Sequence, residues 1–429
     1  MNASRPPLKP LDTALQELLG YATALAGIEQ VSTFEADGRV LAQDVVSALH
    51  VPPQDNSAMD GYAVRCAELD KGVPLPVSQR IPAGASGQPL QPGSVARIFT
   101  GAPVPAGADA IVMQEDCELL LPPDAAPGTL GSVRISSTPK PGQWIRRAGE
   151  DVTRGAVVLS KGERLTPASL GLAASIGMSS LAVLRRPRVA LFSTGDELVM
   201  PGDIAPEQMP PGAIYNSNRF FLRALLQRLG CVVTDFGIVP DQREATVAAL
   251  REAAQQHDLI LTSGGVSVGE EDHIKPSVQL LGELDIWQIA IKPGKPFAYG
   301  KIYRGEGEGA ARGAQDACHF AGLPGNPVSS FITFMVLVRP FLLKLQGITQ
   351  AVPVSMALPA HFDWLRADKR REFLRVRRNA AGGLDLFPNQ SSGVLTSAVW
   401  GDGVVDNPAG ATIAKGDMVQ FISFAELMG

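Results

Sequence analysis

The stretch DLILTSGGVSVGEEDHIK, Asp258–Lys275, decides the fold. A short apolar run, Leu259–Leu261, ends in Thr262, Ser263 and a glycine pair, Gly264 and Gly265. Three acids follow, Glu270, Glu271 and Asp272. An apolar run of this length, stopped by glycines, reads as a buried strand entering a tight turn. The glycines can adopt φ > 0 and let a ligand approach the backbone. Successive N–H groups there, with the hydroxyls of Thr262, Ser263 and Ser267, suit an anion. Carboxylates beside an anion repel it unless a divalent cation lies between, and Mg²⁺ takes one or two carboxylates plus substrate phosphate oxygens. A plain strand-to-helix turn would account for the glycine pair by itself. The acids favour a metal and phosphate site.

The neighbouring sequence supplies the rest of the sheet. PRVALFSTG (Pro187–Gly195) reads as a strand, and SNRFFLRALLQRLG (Ser217–Gly230) as an amphipathic helix with Asn216 or Ser217 as cap and Gly230 as stop. CVVTDFGIVPD (Cys231–Asp241) is a second strand and REATVAALREAAQQ (Arg243–Gln256) a second helix. Strands alternating with helices predict a parallel sheet covered on both faces, with ligands at the carboxyl ends of the strands. Asp196 and Glu197 in STGDEL and Asp241 in VPDQ then reach the same rim as Asp272. KPGKP holds Lys292 and Lys295 around one turn, where they can receive an oxyanion. In GLPGNPVSS, Pro324 and Pro327 fix a loop, and Ser329 and Ser330 fall in the first turn of the helix that follows.

Elsewhere the texture differs. Residues 11–26 carry apolar side chains at helical spacing, with Thr13 and Gln16 placed as a capping box, and residues 164–178 also read as helical. From Val45 to about Ile145, runs such as GYAV and ARIF alternate with Pro/Gly punctuation, which predicts an all-β module. Its turns offer Asp55, Asn56, Ser57, Asp60, Thr100 and Asp109, each explicable as turn chemistry. RRAGEDV (Arg146–Val152) reads as an interdomain salt-bridge cluster. Beyond Gly347, FLRVRR, LDLFP, GVLTS and ATIAKGDMVQFI predict a small β-barrel or sandwich. RREFLRVRR (Arg370–Arg378) reads as a basic surface strand, or as one pointing guanidinium groups at an anion.

Bulk properties narrow the function. The 429 residues exceed one ordinary core, and 45% hydrophobic content places the chain in the globular class. A net charge of −5 without a basic run disfavours nucleic acid. The four cysteines form no CxxC pair and the five histidines no HExxH, so a reducing cytosol fits better than disulfides or zinc. No signal peptide opens the chain, and Ala317–Val338 is uncharged but broken by Gly and Pro, so it reads as a buried loop and helix rather than a membrane span. GxxxxGK[ST] and GxGxxG are absent, which disfavours a P-loop ATPase and a dinucleotide fold.

Taken in order, DNSAMDGYAV, TGAPVPAGADAIVMQE, RRAGEDV, STGDEL, YNSN, SGGVSVGEEDHIK, KPGKPFAYG, GLPGNPVSS and REFLRV…QSSGVLTS resemble the molybdopterin molybdenumtransferase family, related to the E domain of gephyrin, over about residues 11–425. The resemblance implies that molybdenum from molybdate is inserted into adenylylated molybdopterin with release of AMP, supported by Mg²⁺. It implies a cytoplasmic enzyme and an elongated homodimer, with the active site between the α/β domain of one subunit and the early β domain of the other. It implies four domains: a helical linking domain (1–44 with 147–183), a β-rich domain (45–146), an α/β molybdopterin-binding domain shared with the upstream adenylyltransferase (184–346) and a C-terminal β-barrel (347–429). Matched by motif, Asp60, Thr100, Asp151, Glu197, Asp241 and Asp272 are its catalytic candidates, with Glu197 and Asp272 on the metal. Ser263, Gly264, Gly265, Ser267, Lys292, Lys295, Pro324, Pro327, Ser329, Arg375 and Ser392 are its substrate-binding candidates, Arg375 and Ser392 toward molybdate. VPDQRE matches loosely, and RGEGEGAARGAQDA (Arg304–Ala317) is an insertion without evident chemistry. A gephyrin-type scaffold and a molybdopterin adenylyltransferase are the alternatives, and a contact with the upstream adenylyltransferase is also implied.

Overall fold

A computed structural model of the chain describes residues 8–70, 72–240, 242–265, 273–304 and 317–428. Asp241, Ser267 and Asp272 lie outside the described residues. The chain divides into two compact units, Met1–Glu29 with Gly38–Ala42 and Ala182–Gly429, and Gln30–Asp37 with Gln43–Leu181.

The first unit is built on a six-stranded sheet. Its strands are β1 (Arg188–Thr194), β2 (Val232–Val239), β3 (Leu259–Ser263), β4 (Gly282–Gln288), β5 (Pro296–Tyr303) and β6 (Ala317–Leu323). They run in the order β2-β1-β3-β6-β5-β4. The first four are parallel, whereas β5 and β4 are antiparallel additions at one edge, so the sheet is mixed rather than all-parallel. The cause is the short link from β4 to β5, closed by Ile289 N–H donating to Lys295 O at 2.7 Å. A link that short can join only antiparallel neighbours.

Side-chain alternation explains why the sheet is covered twice. Val189, Leu191, Leu259 and Leu261 point to one face, where Leu222, Leu225 and Leu226 of helix Asn218–Arg228 pack with the Pro327–Leu345 helix. Ala190, Phe192 and Ile260 point to the other, against Leu250, Ala253 and Ala254 of helix Arg243–Gln256 and against Val278. Pro327–Leu345 is long and apolar enough to cross a membrane, but 89% of its apolar window is buried inside the protein. It is a core helix, as its broken start suggests.

A second sheet of this unit orders Ile291–Lys292, Arg371–Arg378, Gly403–Asn407, Met418–Ser423 and Met356–Pro359, with Leu384–Leu386 alongside. The expected strand in GVLTS is instead a turn leading into helix Thr396–Trp400. Val399 is exposed there, so no second sheet face draws the segment into a ladder. The N-terminal helix spans Leu11–Tyr21 and starts one residue after Pro10, with no side-chain cap, so Thr13 and Gln16 lie inside it and form no capping box.

In the second unit, a six-stranded sheet orders Ala110–Met113, Gly61–Val64, Val95–Ile98, Leu75–Ile81, Ser132–Ile135 and Cys117–Leu120. Tyr62, Val64, Val95 and Val112 fill one side, and Ala63, Ile81, Ile98 and Ile111 the other. Helix Pro167–Ser175 is capped by Thr166, whose hydroxyl accepts from Ser169 N–H. All four cysteines are free.

Candidate functional site

Register places the loops of the α/β sheet on one rim. Ser193 pairs with Ser263, Thr194 with Val239, and Ser263 with Leu323, so β1, β2, β3 and β6 all end at one level. Gly264 follows at φ +95° and Gly265 at φ +69°. A Cβ on Gly264 would stand 2.8 Å from Thr194 O, and one on Gly265 2.7 Å from Ile274 Cγ1. Both positions therefore need glycine for conformation and for space. Gly264 N–H donates to Leu323 O at 3.0 Å, tying this turn to the loop that carries Pro324.

Asn218 completes the rim. Its amide donates to Ser263 Oγ and to Gly325 O, both at 2.7 Å. Asn216 caps the same helix by accepting from Arg219 N–H at 3.2 Å, whereas Ser217 makes no side-chain cap. Ser193 Oγ, Thr194 Oγ1, Thr262 Oγ1, Asn216 Nδ2, Asn218 Oδ1 and Ser330 Oγ are buried without a hydrogen-bond partner among the described residues. Buried polar atoms are almost always paired. These atoms lie at the carboxyl ends of β1 and β3, on both faces of the sheet, and at the helix starts beside it, which suits a polar ligand at that rim.

Helix Pro327–Leu345 opens on Pro327, and Ser329 is buried in its first turn as expected. Val328 N–H donates to Ser392 O at 2.9 Å, which docks the C-terminal loop onto this helix start. The same loop meets Arg375, whose Nη2 donates to Ser391 O at 3.3 Å. Arg375 also donates to Ser397 Oγ (3.1 Å) and Phe373 O (3.0 Å). It is 1% exposed, so the reading of Arg370–Arg378 as a surface strand fails at its centre. Burial pulls this guanidinium down to about 10, still a cation at neutral pH, and no carboxylate among the described residues is bonded to it. The KPGKP turn joins the group through Gly294, where a Cβ would lie 3.4 Å from Ser329 O.

Glu197 is exposed and folds back over its own turn, since a Cβ on Gly195 would meet its carboxylate oxygens at 2.5 and 2.8 Å. Lys295 has no side-chain hydrogen bond among the described residues, whereas Lys292 is ion-paired to Glu372 at 3.0 Å and Asp368 at 3.3 Å. Thus Ser263, Gly264, Gly265, Pro324, Pro327, Ser329, Lys292, Lys295, Arg375 and Ser392 are linked in one region of the first unit, and Glu197 leaves the rim one turn beyond Thr194. Sequence reasoning missed Asn218, though YNSN contains it, and Glu372, hidden among the five arginines of RREFLRVRR.

Asp60 and Thr100 form a separate pair in the second unit. Gly61 pairs with Ile98, and a Cβ on Gly61 would lie 1.9 Å from Val112 O, so the strand needs glycine beside Asp60. Asp60 Oδ1 accepts from Thr100 N–H at 2.8 Å and Thr100 Oγ1 at 2.7 Å, which lowers its pKa, the backbone bond contributing most. Asp151 is exposed, and no side-chain hydrogen bond among the described residues joins it to this pair. The RRAGEDV cluster is internal to the unit: Arg147 pairs with Asp55 at 2.6 Å, and Glu150 accepts from Arg147 N–H. Ala148 N–H, donating to Asp55 at 2.8 Å, is the main cause of that carboxyl's lowered pKa.

Fold and rim together define a multidomain α/β plus β protein whose candidate site has the donors that suit an anionic, hydrogen-bonding ligand. Three family models match in succession: MoeA N-terminal region (domain I and II) over residues 9–177, "Probable molybdopterin binding domain" over 190–344, and MoeA C-terminal region (domain IV) over 357–424. A molybdopterin molybdenumtransferase of Haemophilus influenzae is 43% identical over 85% of both chains. One from Synechococcus elongatus is 36% identical over 90% of this chain and 92% of its own. The crystal structure of a molybdopterin biosynthesis moeA protein from Pyrococcus horikoshii superposes with a TM-score of 0.80 at 26% identity, covering 97% of this chain and 100% of that one. The chain belongs to the molybdopterin molybdenumtransferase family.

Proposed function

We propose that this chain inserts molybdenum from molybdate into adenylylated molybdopterin, releasing AMP and forming molybdenum cofactor. The observation that carries the reading is the rim of buried hydroxyls and amides beside Gly264 and Gly265 that find no partner among the described residues, together with a buried guanidinium whose described partners are all neutral oxygens. The names of the relatives point the same way.

In this reading, the Gly264–Gly265 turn, with Ser263 and Ser267, holds the phosphate side of the nucleotide. Lys295, Arg375 and Ser392 receive molybdate, a dianion that needs cations. Pro324, Pro327 and Ser329 shape the loop between them, and Lys292 sits at its edge. Asp60, Thr100, Asp151, Glu197, Asp241 and Asp272 are the catalytic set. Asp60, with its carboxylate held by Thr100, keeps a negative charge at neutral pH.

Mg²⁺ fits what is present. Glu197 offers a single exposed carboxylate next to the rim. That suits an ion that completes its shell with water and substrate phosphate. Glu197 and Asp272 would hold it, and when bound it would offset charge on the phosphoanhydride. Homodimerisation, a cytoplasmic setting, contact with an upstream adenylyltransferase and the four-domain division at 1–44 with 147–183, 45–146, 184–346 and 347–429, including an elongated shape, a helical linker and a C-terminal barrel, belong to the same reading. The test is AMP release from adenylylated molybdopterin with Mg²⁺ as molybdate is titrated. Molybdate-dependent release, with molybdenum in the pterin, supports the transferase. ATP consumption with molybdopterin alone would make the chain an adenylyltransferase, and no turnover with either would leave a scaffold.

A further inference from the structure

Lys292 and Lys295 flank one turn, yet their surroundings differ. Lys292 is the last residue of strand Ile291–Lys292, which pairs in parallel with Arg371 and Glu372 of the C-terminal sheet, Lys292 opposite Glu372. Its ammonium donates to Glu372 Oε1 at 3.0 Å and lies 3.3 Å from Asp368 Oδ2. Glu372 is 1% exposed. Its other oxygen accepts from Trp364 Nε1 at 2.8 Å and Asn407 Nδ2 at 3.3 Å. Asp368 is locked in turn by Arg370, whose side chain bonds both carboxylate oxygens at 2.9 and 2.8 Å and holds the acid well below its usual range.

A buried carboxylate needs a cation or a full set of donors, and leaving one unpaired is costly. Among the described residues, Lys292 is the only cation within hydrogen-bond reach of Glu372. An ammonium has three donors. Two are directed at carboxylates, one on strand Arg371–Arg378 and one on the loop ahead of it, so the orientation of the third is set by that strand and loop. An anion arriving at Lys292 also meets Glu372 and Asp368, whereas Lys295 has no ion pair among the described residues.

We propose that Glu372 is a positioning residue: through its buried carboxylate, steadied by Trp364 and Asn407, it anchors Lys292 and thereby aims the KPGKP turn, leaving Lys295 as the lysine that meets the incoming anion. The kinetic part rests on the transferase reading; the anchoring itself does not.

Two measurements separate these. The first is competitive acetylation of the full-length protein with acetic anhydride, read by peptide mass spectrometry. In the unmodified sequence Lys292 should react more slowly than Lys295, and in Glu372→Gln its labelling should rise about tenfold while Lys295 is unchanged. Equal labelling of Lys292 with and without the substitution would overturn the anchoring. The second is a double-mutant cycle on AMP release. Glu372→Gln should raise half-saturating molybdate about tenfold, with a smaller change in maximal rate. The change should vanish in a Lys292→Ala background. An effect that adds in full to Lys292→Ala would mean that Glu372 acts only through general stability, and would overturn its positioning role. Should Glu372→Gln not fold, Asp368→Asn loosens the same ammonium from a less buried position, with the same expected and opposing results. Enhanced Lys292 labelling without molybdate-dependent turnover would uphold the anchor and overturn the transferase reading alone.

Discussion

Arg375 carries a charge into the protein among neutral oxygens, those of Phe373, Ser391 and Ser397. Burying a cation in this way is unfavourable without an anion nearby, so the site should bind one more tightly for the guanidinium being there. Arg375→Ala is expected to raise half-saturating molybdate by about ten- to a hundredfold, the worth of one charge-assisted hydrogen bond. Arg375→Lys should recover little, because an ammonium cannot span the Ser391, Phe373 and Ser397 acceptors as the planar fork does. A molybdate titration of both variants checks this, and an unchanged midpoint would remove Arg375 from the site. His319 gives a prediction of another kind. Burial, with repulsion from Lys301 and Arg304, lowers its pKa from 6.5 to about 4. Tyr299 OH lies 2.8 Å from its Nδ1. Between those values the unfolded chain binds a proton that the native chain does not. Its contribution to stability is therefore complete above pH 6.5 and falls as pH drops toward 4, by up to about 1.4 kcal/mol per unit. His319→Gln should flatten that part of the pH profile of the urea midpoint, and an identical profile would count against a neutral native imidazole.

At the scale of elements, the turn after β3 is where conformation and ligand meet. Gly264→Ala adds a Cβ 2.8 Å from a backbone oxygen at φ +95°, a strain of about 1–3 kcal/mol. The expected outcome is a lower melting temperature together with weaker binding of the adenylylated pterin, both measurable by thermal shift with and without ligand. Unchanged ligand-induced stabilisation would separate this turn from the phosphate. The turn was legible because a strand ending in Gly-Gly is a local signal, and the two β/α units beside it were legible because both helices keep a 3.6-residue apolar period. The pairing of β5 and β4 was not, since hairpin-like additions to a parallel sheet depend on register rather than composition. Nor was the partner of Asp55, because Arg147 is 92 residues away in sequence. Lys292 was read as a free cation for the same reason: Glu372, 80 residues on, becomes its neighbour only when Ile291–Lys292 joins the C-terminal sheet. Motif resemblance picked out Arg375, but its burial is tertiary, and only packing shows that the strand around it lies inside.

For the whole molecule, the division of labour follows from where the cores lie. The second unit has its own apolar interior on both sides of its sheet, drawn entirely from residues between Tyr62 and Ile135 for its fully buried members. A sheet with two filled faces and a chain length typical of single domains has what independent folding needs. A fragment spanning 30–181, which keeps Gln30–Asp37 of the same unit, is therefore expected to unfold in one cooperative urea transition, by circular dichroism and intrinsic fluorescence alike. It holds the Asp60–Thr100 pair intact, since every bond of that pair is internal to it. It lacks the rim of β1 and β3, the KPGKP turn and Arg375, so it should neither bind molybdate nor release AMP. Gly61→Ala tests the link between its sheet and the pair. A Cβ 1.9 Å from Val112 O must push the strands apart beside Asp60. In the fragment this change should lower the urea midpoint, and in the full chain it should also slow AMP release, because Asp60 moves with its strand. Loss of stability in the fragment with undiminished turnover in the full chain would show that the Asp60–Thr100 pair serves the fold of its own unit rather than the reaction.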